Sequence, residues 1–149
     1  MPHIVPNDIL IPQIAALMQE GKEVLFTPTG NSMRPFIEGG RDTVAMRKQE
    51  PVRVGDICLA QINSTPRYVL HRVIAVSPTD ITLMGDGNLT GIEHCPPEMI
   101  LGTVTRILTP KGRPKPLTRG RLWYHLKDIR WLLLKIHRKT IVKLLKNNS

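Results

Sequence analysis

A hydroxyl and an imidazole, Ser32 and His71, carry the chemistry that this sequence offers. Ser32 stands in Gly30-Asn31-Ser32-Met33-Arg34-Pro35, between two strand-like stretches, 23–27 (EVLFT) and 43–47 (TVAMR). Glycine opens backbone angles closed to other residues and proline fixes its own φ, so the serine sits on a tight connection suited to presenting a nucleophile. An ordinary turn serine fits the same local pattern, and the reading turns on whether a base exists. His71 lies in 67–76 (RYVLHRVIAV), a run rich in β-branched and aromatic residues that predicts a strand. Alternation puts Val69, His71, Val73 and Ala75 on one face, with Tyr68, Leu70, Arg72 and Ile74 on the other. His71 is then the one titratable group in an apolar row. Its pKa near neutrality suits it to take a proton from Ser32 and return it to a leaving amine. A core histidine bonded to a neighbour is the structural alternative.

The order of motifs adds to the pair. G-x-S-M-x-P is followed by Gly55-Asp56-Ile57, by His71-Arg72 on an apolar strand, by Gly85-Asp86-Gly87-Asn88, and by Leu101-Gly102-Thr103-Val104. Over roughly residues 23–108 this set resembles the S24/S26 peptidases, the group of the signal peptidases and the self-cleaving repressors. One branch uses Ser with Lys; another has His where the Lys would stand. No lysine lies between Lys48 and Lys111, and His71 holds the matching place, so the chain is similar to the Ser/His branch. The resemblance implies Ser32 as nucleophile, His71 as general base, and a mainly β, coiled or barrel-like sheet with an extended substrate cleft.

A carboxylate is needed to fix the imidazole tautomer and stabilise the imidazolium. In the Ser/His branch it lies several residues beyond Gly-Asp-x-Asn, in an acidic pair, whereas this chain reads Gly91-Ile92-Glu93. Asp86 is preferred for its better-matched motif, Glu93 is the alternative third member, and a Ser/His dyad is the remaining option. The backbone N–H of Ser32 is one candidate oxyanion donor. Bacterial signal peptidases place a hydroxyl two residues earlier, but that position here is Gly30, so Asn31 is the stand-in, with Met33 grouped beside it as a substrate and oxyanion residue.

These residues need a scaffold. Strands are predicted near 23–29, 42–47, 56–62, 67–76, 80–84 and 99–108, with Gly39-Gly40, Pro51, 63–66 and Pro78 breaking them. Residues 1–22 do not read as a signal peptide, because Pro2, Pro6 and Pro12 interrupt any apolar run. Asn7 or Asp8 caps a predicted helix ending near Glu20, with Leu10, Ile14, Leu17 and Met18 on its sheet-facing side. This segment is too short for the DNA-binding domain that precedes the peptidase in self-cleaving repressors. The division is a helical segment 1–22, a β-domain 23–110, and a basic tail 111–149 made of a linker and a helix.

Composition narrows the classes further. With 41% apolar and 22% charged residues the chain is globular in type, and 4% aromatics argues against stacking on single-stranded nucleic acid. Cys58 and Cys95 make no disulfide framework, and His94-Cys95 has no second pair at ligand spacing, so neither a metal nor a cofactor is expected. Charge is unevenly distributed: residues 111–149 carry +11 and residues 1–110 carry −2. From about Leu122 to Lys146, Leu122, Leu126, Ile129, Leu133 and Ile136 form an apolar stripe, with Trp123 and Trp131 at its side and basic residues around it. No run reaches the length of a membrane span. Such a helix suits peripheral contact with an anionic membrane, packing on its own domain, or an acidic partner; no nucleic-acid-reading motif accompanies it. The expected partner is a peptide or precursor-protein substrate, in the cytoplasm or at the inner face of the membrane. A serine endopeptidase cleaving a leader or precursor is the leading expectation. A non-catalytic β-domain binding a peptide, an acidic partner or a membrane through its basic helix is the alternative.

Overall fold

The computed structural model describes residues 7–30, 32–34, 36–62, 67–87 and 91–117. Asn31 and the basic helix expected over 122–146 lie outside the described residues. The chain opens with helix α1 (Asn7–Gln19). Its buried side is Ile11, Ile14 and Met18, while Leu17 is 39% exposed, so the docked stripe is rotated from the expected one. The helix ends where the Gly21 N–H reaches the Met18 carbonyl (2.9 Å) and the Lys22 N–H the Leu17 carbonyl (3.1 Å). This paired closure places its left-handed residue at Gly21, φ +88°.

All six expected strands form, as β1 (Val24–Phe26), β2 (Thr43–Arg47), β3 (Ile57–Ile62), β4 (Arg67–Val76), β5 (Ile81–Met84) and β7 (Ile100–Leu108). Two short ones were not expected, β6 (Glu93–Cys95) and β8 (Pro114–Lys115). β8 pairs with the end of β7, so the sheet continues beyond the boundary drawn at 110, and the predicted linker contributes to the domain. The described strands form one antiparallel sheet in the order β1-β2-β7-β3-β4-β5-β6, with β8 beside β7. Register shifts at Ala45/Met46, Leu59/Ala60 and Val73/Ala75 bend it. The result is mainly β, a curled half-barrel.

Curling gives β3 two buried faces. Ile57 and Leu59 join α1, Met33 and Ile37 in one core, while Cys58, Ala60 and Ile62 join Val69, Val73 and Leu83 in a second. That explains why the first four residues of β3, Ile57 to Ala60, read as an apolar run instead of an alternating one. Among the described residues, no helix is long and apolar enough to cross a membrane.

Candidate active site

Ser32 rides on the long connection between β1 and β2, which is closed at several points. Thr27 and Thr43 join their hydroxyls at its base (3.0 Å), and the Gly40 N–H meets the Pro28 carbonyl (2.6 Å). The close approach requires glycine at Gly39, where a Cβ would collide with the Gly30 carbonyl. Gly30 itself would accept a Cβ, which meets nothing within 4 Å. The glycine requirement in this loop therefore falls after the serine, not before it. Met33 and Ile37 anchor the loop in the core, with 3% and 1% exposure. Asp42, also buried, accepts from the Glu38 N–H (2.8 Å) and from Lys115 Nζ on β8 (2.6 Å).

His71 projects from β4 and is bonded on both sides. Its Nε2 lies 3.0 Å from Ser32 Oγ, and its Nδ1 lies 2.9 Å from Glu93 Oε2. An ionised carboxylate only accepts, so Nδ1 carries the hydrogen and Nε2 is left to accept the Ser32 hydroxyl. This is the tautomer a general base needs. The His71 and Glu93 side chains are 7% and 12% exposed, which limits competition from water for either bond.

Asp86, the preferred third member, is elsewhere. It is fully buried and clamps Arg72 with two bonds of 2.7 Å, to Nε and Nη2. The correction has a physical origin. Arg72 is a lone cation in the apolar row on the far face of β4, and a buried guanidinium requires a carboxylate. Asp86 supplies it; Arg72 Nη1 donates to the Gly55 carbonyl (2.7 Å), and the Phe36 ring lies 5.6 Å from the guanidinium. The neighbouring Gly87 N–H donates to the Ser32 carbonyl at 2.8 Å. The Gly85-Asp86-Gly87 turn thus holds the Ser32 backbone, and Glu93 on β6 is the carboxylate that holds the imidazole.

A cleft of about 450 Å³ opens over Ser32, His71 and Glu93. Phe26, Leu59, Tyr68 and Leu70 give it apolar walls, and Met33 lines it while remaining packed in the core. Arg67 stands at its edge, 60% exposed, with Nη2 3.6 Å from Glu93 Oε1. Arg67 is not among the residues expected from the sequence, although its place four residues before His71 on one strand face was the available signal. Along Arg67–His71, β4 pairs with β3 on one side, and its pairing with β5 begins at Arg72. Among the described residues the other side of that segment has no strand partner.

The cysteines stay apart from this chemistry. Both are free and buried; burial pushes the Cys58 thiol up to about 12 and the Cys95 thiol to about 11, so neither presents a thiolate near neutral pH. His94 faces away from Cys95, with Nδ1 2.9 Å from Asp80. Comparisons with protein-family models, with curated proteins and with solved structures return no match to this chain.

Proposed function

We propose that the chain is a serine endopeptidase of signal-peptidase type, with Ser32 as nucleophile, His71 as general base and Glu93 as the residue that orients the base and stabilises its imidazolium. The observation that carries this reading is the unbroken series Ser32–His71–Glu93, with bonds of 3.0 and 2.9 Å at the mouth of a cleft. A peptide strand added along Arg67–His71 gains main-chain hydrogen bonds from the open edge and sets alternate side chains against the apolar walls. Ser32 Oγ attacks the scissile carbonyl as His71 Nε2 takes its proton. His71 returns that proton to the leaving amine, and water then resolves the acyl-enzyme by the same route reversed. The Ser32 N–H is the oxyanion donor in this reading. A leader or precursor peptide is the substrate class that goes with this reading.

The test is labelling by a fluorophosphonate together with cleavage of a peptide library read by mass spectrometry. Ser32 is the expected site of the adduct, and Ser32→Ala should remove both adduct and cleavage, lowering turnover by about 10⁴-fold or more, with the fold unchanged by circular dichroism. Cleavage that persists in Ser32→Ala would remove Ser32 from the nucleophile's role, and absence of both labelling and cleavage in wild type would leave the chain as a binding domain.

A further inference from the structure

Among the described residues that line the cleft, the one charged side chain outside the Ser32–His71–Glu93 constellation is the guanidinium of Arg67. It lines the cleft, its side chain is 60% exposed, and its contact with Glu93 Oε1 is 3.6 Å, beyond the range of a hydrogen bond. Among the described residues, none of its side-chain N–H donors makes a hydrogen bond. Arg34, two residues after Ser32, is by contrast committed to Glu38 at 2.9 Å. Arg67 and His71 share a face of β4, on the segment whose far edge is open. A peptide lying along that edge therefore passes the general base and then meets a forked cation within a few residues.

We infer that Arg67 makes the site selective for peptides with an acidic side chain close to the scissile bond, on the side of it that runs along Arg67–His71. This rests on the reading of Ser32, His71 and Glu93 as catalytic. A carboxylate from the substrate takes the guanidinium in the bidentate geometry that Glu93 does not use, because Glu93 Oε2 is committed to His71. At rest Arg67 and Glu93 offset one another. When His71 takes the Ser32 proton, the imidazolium's positive charge arises together with the negative charge of the oxyanion, so the net charge of the site is unchanged. A substrate carboxylate on Arg67 therefore binds alike before and during the reaction, and the preference appears chiefly in KM and kcat/KM.

The test uses quenched-fluorescent octapeptides in which Glu, Gln or Lys is placed at each position in turn of an otherwise neutral sequence. Two readouts are taken: the rate and point of cleavage, and the protection of Ser32 from a fluorophosphonate at fixed peptide concentration. The second reports binding even where turnover is slow. Wild type should favour Glu over Gln at one or two adjacent positions on one side of the cut, by roughly tenfold. Arg67→Gln should erase that ratio, and Arg67→Glu should reverse it in favour of Lys. If Ser32 is labelled but wild type shows no charge preference in either readout, the inference is overturned and the catalytic reading stands. The inference also falls if the Glu-to-Gln ratio survives in Arg67→Gln, since another group then reads the charge. Absence of both labelling and cleavage in wild type overturns the catalytic reading and this inference together.

Discussion

At the scale of single residues, two carboxylates that look alike in the sequence divide into different tasks. Asp86 neutralises a guanidinium that folding has removed from water, and Glu93 holds an imidazole at the edge of a cleft. Their amide substitutions should separate cleanly. Asp86→Asn keeps the shape but leaves Arg72 without its counter-charge, which costs about 3–5 kcal/mol when one member of a buried pair is removed. A urea melt should show that loss. Glu93→Gln leaves the fold intact but no longer enforces the Nδ1–H tautomer or stabilises the imidazolium, so kcat should fall on the order of 10⁴-fold. If Glu93→Gln keeps full turnover, it has no role in the chemistry, and the site works as a Ser/His dyad. Ser32 and His71 were legible in the sequence because a tight loop and an apolar strand face each exposed one reactive side chain. The choice between Asp86 and Glu93 was not. It depends on which face of β4 each carboxylate reaches, and on the demand of Arg72, a buried cation on the far face whose counter-charge comes from another strand's turn.

Elements were legible to different depths for reasons that follow from length and pairing. The six expected strands, the three-residue β1 within EVLFT included, announced themselves by β-branched and aromatic residues and by flanking turn residues. The two missed strands, β6 and β8, are three and two residues long and are held mainly by their neighbours, so they carry almost no pattern of their own. Both matter to the site: β6 delivers Glu93, and β8 delivers Lys115 to the aspartate that closes the Ser32 loop. Helix α1 was placed correctly but rotated, because its docking is decided by one close approach. Met18 packs so tightly against β7 that a Cβ at Gly102 would collide with its Sδ. Gly102→Ala should therefore cost about 1 kcal/mol of overpacking, and Met18→Ala about 2–5 kcal/mol for its cavity. Because the two residues compete for one space, the double variant should be less destabilised than the sum by about 1 kcal/mol. Strict additivity in denaturant titrations would show that the helix does not rest on Gly102.

For the whole molecule, the consequence of curling one sheet is a strand buried on both sides, and β3 brings Cys58 into the centre of the second core. The thiol is fully buried, and desolvation outweighs the bond with Thr103 that acts to lower its pKa. This links global stability to pH in a direction that can be worked out. The folded chain holds Cys58 protonated up to about 12, whereas an unfolded thiol ionises near its ordinary value of about 9. Above that value the unfolded state binds fewer protons than the folded one, so unfolding releases a proton and stability falls as pH rises. The contribution is fully present below about pH 9 and is lost progressively toward about pH 12, at up to about 1.4 kcal/mol per pH unit for this thiol. Cys95, raised to about 11 by burial and then by Asp80 and Glu98, adds to the slope over a shorter range. Tyrosine and lysine titrate in the same window, so the measurement is a difference. Unfolding free energies of wild type and Cys58→Ala are compared from pH 8 to 10.5. Cys58→Ala should be less stable at pH 8, because a buried sulfur has been removed, but should lose stability less steeply above about pH 9. The two curves should converge as pH rises. Parallel curves would mean that the Cys58 thiol ionises as readily in the folded chain as in the unfolded one, and that the second core admits water.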